Sequence, residues 1–193
     1  MNANTKQRVV PLVMTGLLTA LVVVLQLVSS SIPKIGPFSI TLTLVPIVVG
    51  AALYGKWAGA WLGLAFSVVV LLEPDTAAFY AVTIPGTIIT VLLKGTAAGF
   101  VAGLVYEVLK KKNDTAATFI AGALTPIVNT GIFVLGCFTF FLDTLREWAG
   151  GQNVFAFIFL SMIGVNFLIE LGVNIVLGPT IAKIIKIGRK KNL

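Results

Sequence analysis

From Val9 to Val28 the chain runs through twenty residues without a charged side chain. A helix rises about 1.5 Å per residue, so a run of this length matches the ~30 Å hydrocarbon layer of a bilayer. Pro11 falls in its first turn, where a missing N–H does no harm. The run is too long for a signal-peptide core and is expected to be a membrane span. Similar runs follow to the end of the chain. The expected spans are about 9–28, 40–53, 57–72, 85–109, 116–142 and 154–187. Only 11% of the 193 residues are charged, against about 25% in a soluble domain. A surface so poor in charge calls for lipid as solvent. The expected fold is therefore all-α, with six transmembrane helices in one bundle and a single integral membrane domain over residues 1–193.

The few charges report orientation. With the N-terminus inside, Lys6, Arg8, Lys56, Lys110, Lys111, Lys112, Lys183, Lys186, Arg189, Lys190 and Lys191 fall on the cytoplasmic side. Only Lys34 and Arg146 fall outside, together with Glu73, Asp75, Asp143 and Glu147. This bias predicts that both termini are cytoplasmic. It also accounts for the net charge of +7 without nucleic acid as a partner. Cys137 is the sole cysteine and histidine is absent. The common zinc and haem ligand sets and histidine-based hydrolysis are thus missing, and no cofactor, metal or enzymatic activity is expected.

Small residues repeat every four positions, at Gly55, Gly59 and Gly63 and again at Gly95, Gly99 and Gly103. Such ladders let helix backbones approach closely in lipid, and internal packing is their expected use. On span 1, Gly16 and Ala20 make a similar face, flanked by Thr15 and Thr19. That face serves either an internal neighbour or another subunit.

Two ionisable residues lie deep within the spans, Lys94 and Glu170. A charge at the bilayer centre costs roughly 2.5–3.5 kcal/mol on insertion scales, so both are expected to face the bundle interior. Asn166, Glu170 and Asn174 are four apart and share one helix stripe. Asn129 lies at mid-depth in span 5, beside Thr130 and near Thr125. Two readings follow. Lys94 and Glu170 pair while the asparagines hold helices together, or all of them surround a small cavity for a hydrophilic molecule. Residues 31–38, rich in proline, fit a cover over such a cavity, with Phe38 as an apolar wall.

At this point the chain resembles the substrate-binding S component of an energy-coupling factor (ECF) transporter, a family that imports vitamins and related micronutrients into bacteria. The resemblance rests on the six-helix layout and on Thr15-Gly16-Leu17-Leu18-Thr19-Ala20. It rests further on residues 47–60 at the span 2–3 turn, on Ala98 to Tyr106, on Asn129-Thr130 and on Asn166 to Glu170. It implies a site near the outer face, built from loop 1 and helices 4 to 6, with Lys94, Asn129, Asn166, Glu170, Asn174 and Phe38 as candidate contacts. It also implies docking on a membrane scaffold subunit and two ABC-type ATPases, in the bacterial plasma membrane. In the family two alanines four apart on helix 1 form much of the docking face; here Gly16 replaces the first and Ala20 is the second. The chain has no phosphate-binding loop of its own. Lys94 favours a substrate carboxylate, as in pantothenate, whereas Phe133, Phe138, Phe155 and Phe157 would suit riboflavin. The alternative function is an autonomous carrier or channel for a polar solute.

Overall fold

The computed structural model describes residues 3–31 and 42–191. Helix makes up 88% of it, and no strand occurs among the described residues. The elements are α1 (Ala3–Ser31), α2 (Leu44–Tyr54), α3 (Lys56–Leu71), a 3-10 turn (Pro74–Thr76) leading into α4 (Ala77–Tyr80), α5 (Ile84–Leu109), α6 (Asp114–Phe140), α7 (Leu142–Trp148), α8 (Val154–Ala156) running into a π-helical turn (Phe157–Met162), α9 (Gly164–Val176) and α10 (Gly178–Lys191).

Three helices are long and apolar enough to cross a bilayer unaided: 9–30 of α1, α5 and α6. Two further spans arise only if bent pairs count as one, namely α3 with Pro74–Tyr80, bent by 74°, and Val154–Met162 with α9, bent by 44°. The second expected span contributes the apolar α2, which has 11 residues. At 1.5 Å per residue that is about 16 Å, half the hydrocarbon thickness. The chain is thus an all-helical, multi-pass membrane protein with three to five candidate spans among the described residues.

Local chemistry explains most boundaries. Gly55 ends α2 and starts α3 at φ 92°, a left-handed conformation that favours glycine, and its N–H donates to the Ala51 carbonyl at 3.0 Å. Thr83 caps α5 by accepting from the Gly86 N–H at 3.4 Å, with Pro85 in the first turn. Asn113 caps α6 through the Ala116 N–H at 2.9 Å. The last span differs from its expected single helix over 154–187. Its ladder widens into the π turn over Phe157–Met162 and breaks again at Leu177, between α9 and α10. Such turns insert an extra residue and re-aim the helix that follows.

The packing centre is the contact of α3 with α5, extended by α5 on α6. Here the glycine ladders meet in antiparallel register. A Cβ added to Gly59 would strike the Gly99 carbonyl, and one on Gly63 the Gly95 carbonyl; Gly103 lies against the Lys56 backbone. Outward faces are apolar, with Leu12, Leu17, Leu160, Leu168 and Val176 all exposed, as lipid requires. One end of the bundle gathers charged residues. Lys56 Nζ lies 3.6 Å from Glu107 Oε2, and Asp114 Oδ1 accepts from the Tyr106 hydroxyl at 2.6 Å and from Arg189 Nη1 at 3.0 Å. The opposite end joins α4 to α7, where the Phe79 and Trp148 rings meet edge to face at 5.7 Å.

The glycine register generates a prediction. Gly63→Val or Gly99→Val must push α3 and α5 apart, since backbone atoms block the new side chain. Overpacking of this kind costs ~1–3 kcal/mol or more. Thermal unfolding in detergent should show a marked drop for both variants and little change for Gly131→Ala, whose Cβ meets nothing within 4 Å. Equal melting of all three would refute the close contact.

Candidate functional site

Above the α3–α5 contact the helices part around a cavity of about 110 Å³. Its polar lining comes from α1 (Gln26), from the bend after α3 (Glu73, Asp75, Thr76), from α5 (Thr87, Thr90, Lys94), from α6 (Asn129, Thr130) and from α9 (Asn166, Glu170). Phe66, Phe79, Phe133, Phe141 and Phe167 supply aromatic walls.

Four of the candidate contacts therefore meet: Lys94, Asn129, Asn166 and Glu170. The stripe on α9 is the reason for two of them. Asn166, Glu170 and Asn174 are its buried residues, whereas Val165 and Leu168 are exposed. Asn174 lies one turn beyond the cavity and does not line it. Its Nδ2 donates to the Glu170 carbonyl at 2.9 Å, so it bonds the helix backbone instead of reaching the hollow. Phe38 and the proline-rich loop lie outside the described residues.

Lys94 does not make a direct ion pair with Glu170 among the described residues, where no carboxylate comes within 4.0 Å of its ammonium. Its Nζ sits 5.2 Å from the Phe133 ring centroid, in cation–π range. Glu170 and Glu73 act on it through their fields. At the other side, Gln26 Nε2 donates to Glu73 Oε1 at 2.9 Å, and the Thr43 hydroxyl donates to Gln26 Oε1 at 2.8 Å. This chain of hydrogen bonds fixes the Glu73 carboxylate against α1.

The asparagines differ from ordinary interhelical contacts. Asn129 Oδ1, both polar atoms of Asn166 and Thr90 Oγ1 are buried without a hydrogen-bond partner among the described residues. Each such atom costs on the order of 1–3 kcal/mol if left bare. Four of them approach the whole net stability of an ordinary domain. All four belong to residues that line the cavity, so water or a polar guest held there is the nearest partner available to them.

Of the aromatic residues proposed as walls, Phe133 faces the cavity. Phe138 and Phe155 instead stack on each other at 5.3 Å, and Phe157 lines a separate hollow with Trp148 and Met162. Sequence reasoning missed Gln26, Glu73, Asp75, Thr87 and Thr90 as lining residues. Gln26 carried a usable signal, as the one amide in an otherwise apolar run. Glu73 and Asp75 read as loop charges, and only the 74° bend at Pro74 turns them over the cavity.

Gly16 and Ala20 are exposed on α1, and a Cβ on Gly16 would meet nothing within 4 Å. The same helix buries Val22, Gln26 and Ser29 on another face. No described residue packs against Gly16, while Thr19 beside it accepts from the Trp61 indole N–H at 3.1 Å.

Helices apolar outside and parted around a polar, aromatic-walled cavity define a multi-pass membrane protein built to hold a small solute. The family model described as "ECF transporter, substrate-specific component" matches residues 11–182. The chain belongs to this family, and is a substrate-binding subunit of an ECF transporter. Members are transport proteins and not enzymes, and they associate with an energising module of scaffold and ATPases. No curated protein and no solved structure matches the chain.

If the cavity is aqueous, cysteines placed in it should react with a small hydrophilic thiol reagent. In a Cys137→Ala background, Asn129→Cys and Asn166→Cys are expected to be labelled in membranes, and Leu168→Cys, on the lipid side at 65% exposure, to resist. The reverse pattern would remove the cavity from consideration.

Proposed function

We propose that this subunit captures a water-soluble vitamin or related micronutrient, of the size and polarity of pantothenate or riboflavin, for ATP-driven uptake. Lys94, Asn129, Asn166 and Glu170 contact the solute; Asn174 supports Glu170 from behind, and Phe38 belongs to the cover. The observation that carries this reading is the set of unpartnered polar atoms on Thr90, Asn129 and Asn166 around one cavity. A bundle that used these residues only to join helices would pair them with each other.

The same reading assigns six spans in a single membrane domain, with α2 completing the second and α8 to α10 forming the sixth. The end bearing Lys56, Lys110 and Arg189 is cytoplasmic, as are both termini, and the membrane is the bacterial plasma membrane. Positive charge retained on the cytoplasmic side supports this orientation. The exposed Gly16–Ala20 face of α1 docks on the membrane scaffold subunit, which brings two ABC-type ATPases. A small-residue face open at the helix surface fits close approach by a partner helix.

Mass spectrometry of the protein purified in mild detergent should reveal a bound small molecule, and titration should then give its affinity. Asn129→Ala, Asn166→Ala and Glu170→Ala are each expected to weaken it roughly tenfold or more. Unchanged affinity in all three would take the site elsewhere. Gly16→Trp and Ala20→Trp are expected to block co-purification with the scaffold while sparing solute binding. Uptake into vesicles containing this chain alone would favour an autonomous carrier.

A further inference from the structure

Asn166 lines the cavity and carries a donor and an acceptor in one plane. It is 8% exposed, and neither Nδ2 nor Oδ1 has a partner among the described residues. Asn129, 7% exposed, adds an unpartnered Oδ1 on the same cavity. A carboxamide forms two parallel hydrogen bonds only with a group whose own donor and acceptor are adjacent and point the same way. Lactam and aminopyrimidine edges meet that condition. A trans secondary amide does not, because its N–H and C=O point in opposite directions. A carboxylate meets half of it and sets its second oxygen against the Asn166 Oδ1.

The walls favour a flat guest. Phe133 lies four residues from Asn129 on α6, Phe167 follows Asn166 on α9, and both line the cavity. Aromatic faces and edges at such positions pack a planar ring better than a flexible chain.

We infer that the solute is a flat nitrogen heterocycle with a hydrogen-bond donor and acceptor side by side on one edge, read by Asn166, while Asn129 Oδ1 accepts from a second N–H. This rests on the capture reading above and narrows its substrate class. Of the two vitamins named there, riboflavin has such an edge. Pantothenate, an open chain with a trans amide, lacks it.

The test compares riboflavin, a pterin and a 4-aminopyrimidine with pantothenate as probes of the detergent-purified full chain, alongside mass spectrometry of the compound it carries. The carried compound, or at least one ring probe, is expected to bind through such an edge. Methylating the edge nitrogen of that ring should then weaken binding to the unaltered protein by roughly tenfold to a hundredfold. Asn166→Leu should weaken the unmethylated ring similarly and erase the discrimination; the ligand-side change keeps the test independent of how that variant folds. Binding of pantothenate or another ringless solute with no competition from the rings overturns the inference and leaves solute capture standing. A methyl group without effect does the same. A protein that carries nothing and binds none of the four probes overturns both.

Discussion

Hydrocarbon offers no hydrogen bonds, and every polar atom in the spans of this chain must find a partner inside the protein or in a cavity it encloses. Most do so locally. The hydroxyls of Thr19, Thr87, Thr118 and Thr125 donate to the carbonyl four residues back at 2.7–3.0 Å. The atoms that do not are those of Thr90, Asn129 and Asn166 around the cavity, with Ser67 and Asn174 nearby. The site is therefore marked less by its charges than by the failure of local chemistry to satisfy three side chains.

The glycine ladders make that geometry possible. Because Gly59 and Gly63 rest on the Gly99 and Gly95 backbones, α3 and α5 are locked together along one stretch. Helices that cross so closely must diverge beyond it, and the divergence opens where α5 carries Thr87, Thr90 and Lys94. The α3 chain then turns sharply at Pro74 and lays Glu73, Asp75, Thr76 and Phe79 across the opening. Phe79 is held there by edge-to-face contacts with Phe133, Phe141 and Trp148 at 5.1–5.7 Å. Tight backbone contact at one depth thus produces a roofed hollow at another.

Much of this could be read from residues. Lys94, Glu170, Asn129 and Asn166 stand out because ionisable and amide groups are costly in an apolar run, and the four-residue spacing put two of them on one face. Asn174 obeyed the same spacing yet falls a turn too deep, since a stripe indicates a face but not where a cavity ends. The glycine spacing foretold the α3–α5 contact. The breaks were less legible. The π turn at Phe157–Met162 has no proline, and glycine follows it only at Gly164; Phe157, expected as a wall, lines the other hollow. Glu73 and Asp75 passed for loop charges because a 74° bend is a tertiary outcome, set by where α4 finds aromatic partners.

α1 ties the cavity to the outside. Only 17% of its apolar stretch is buried, so it is held by few contacts, among them Val22 in the core and the Trp61 indole N–H donating to Thr19 Oγ1 at 3.1 Å. Yet Gln26 on this loosely packed helix is fully buried and grips the Glu73 carboxylate at 2.9 Å. A shift of α1 along its axis by even one residue, about 1.5 Å, would break that bond and the one from Thr43. The face proposed to dock, Gly16 and Ala20, lies on the same rigid rod. The residue that holds the Glu73 carboxylate and the face proposed to meet a partner thus share one helix, with Gln26 ten residues beyond Gly16.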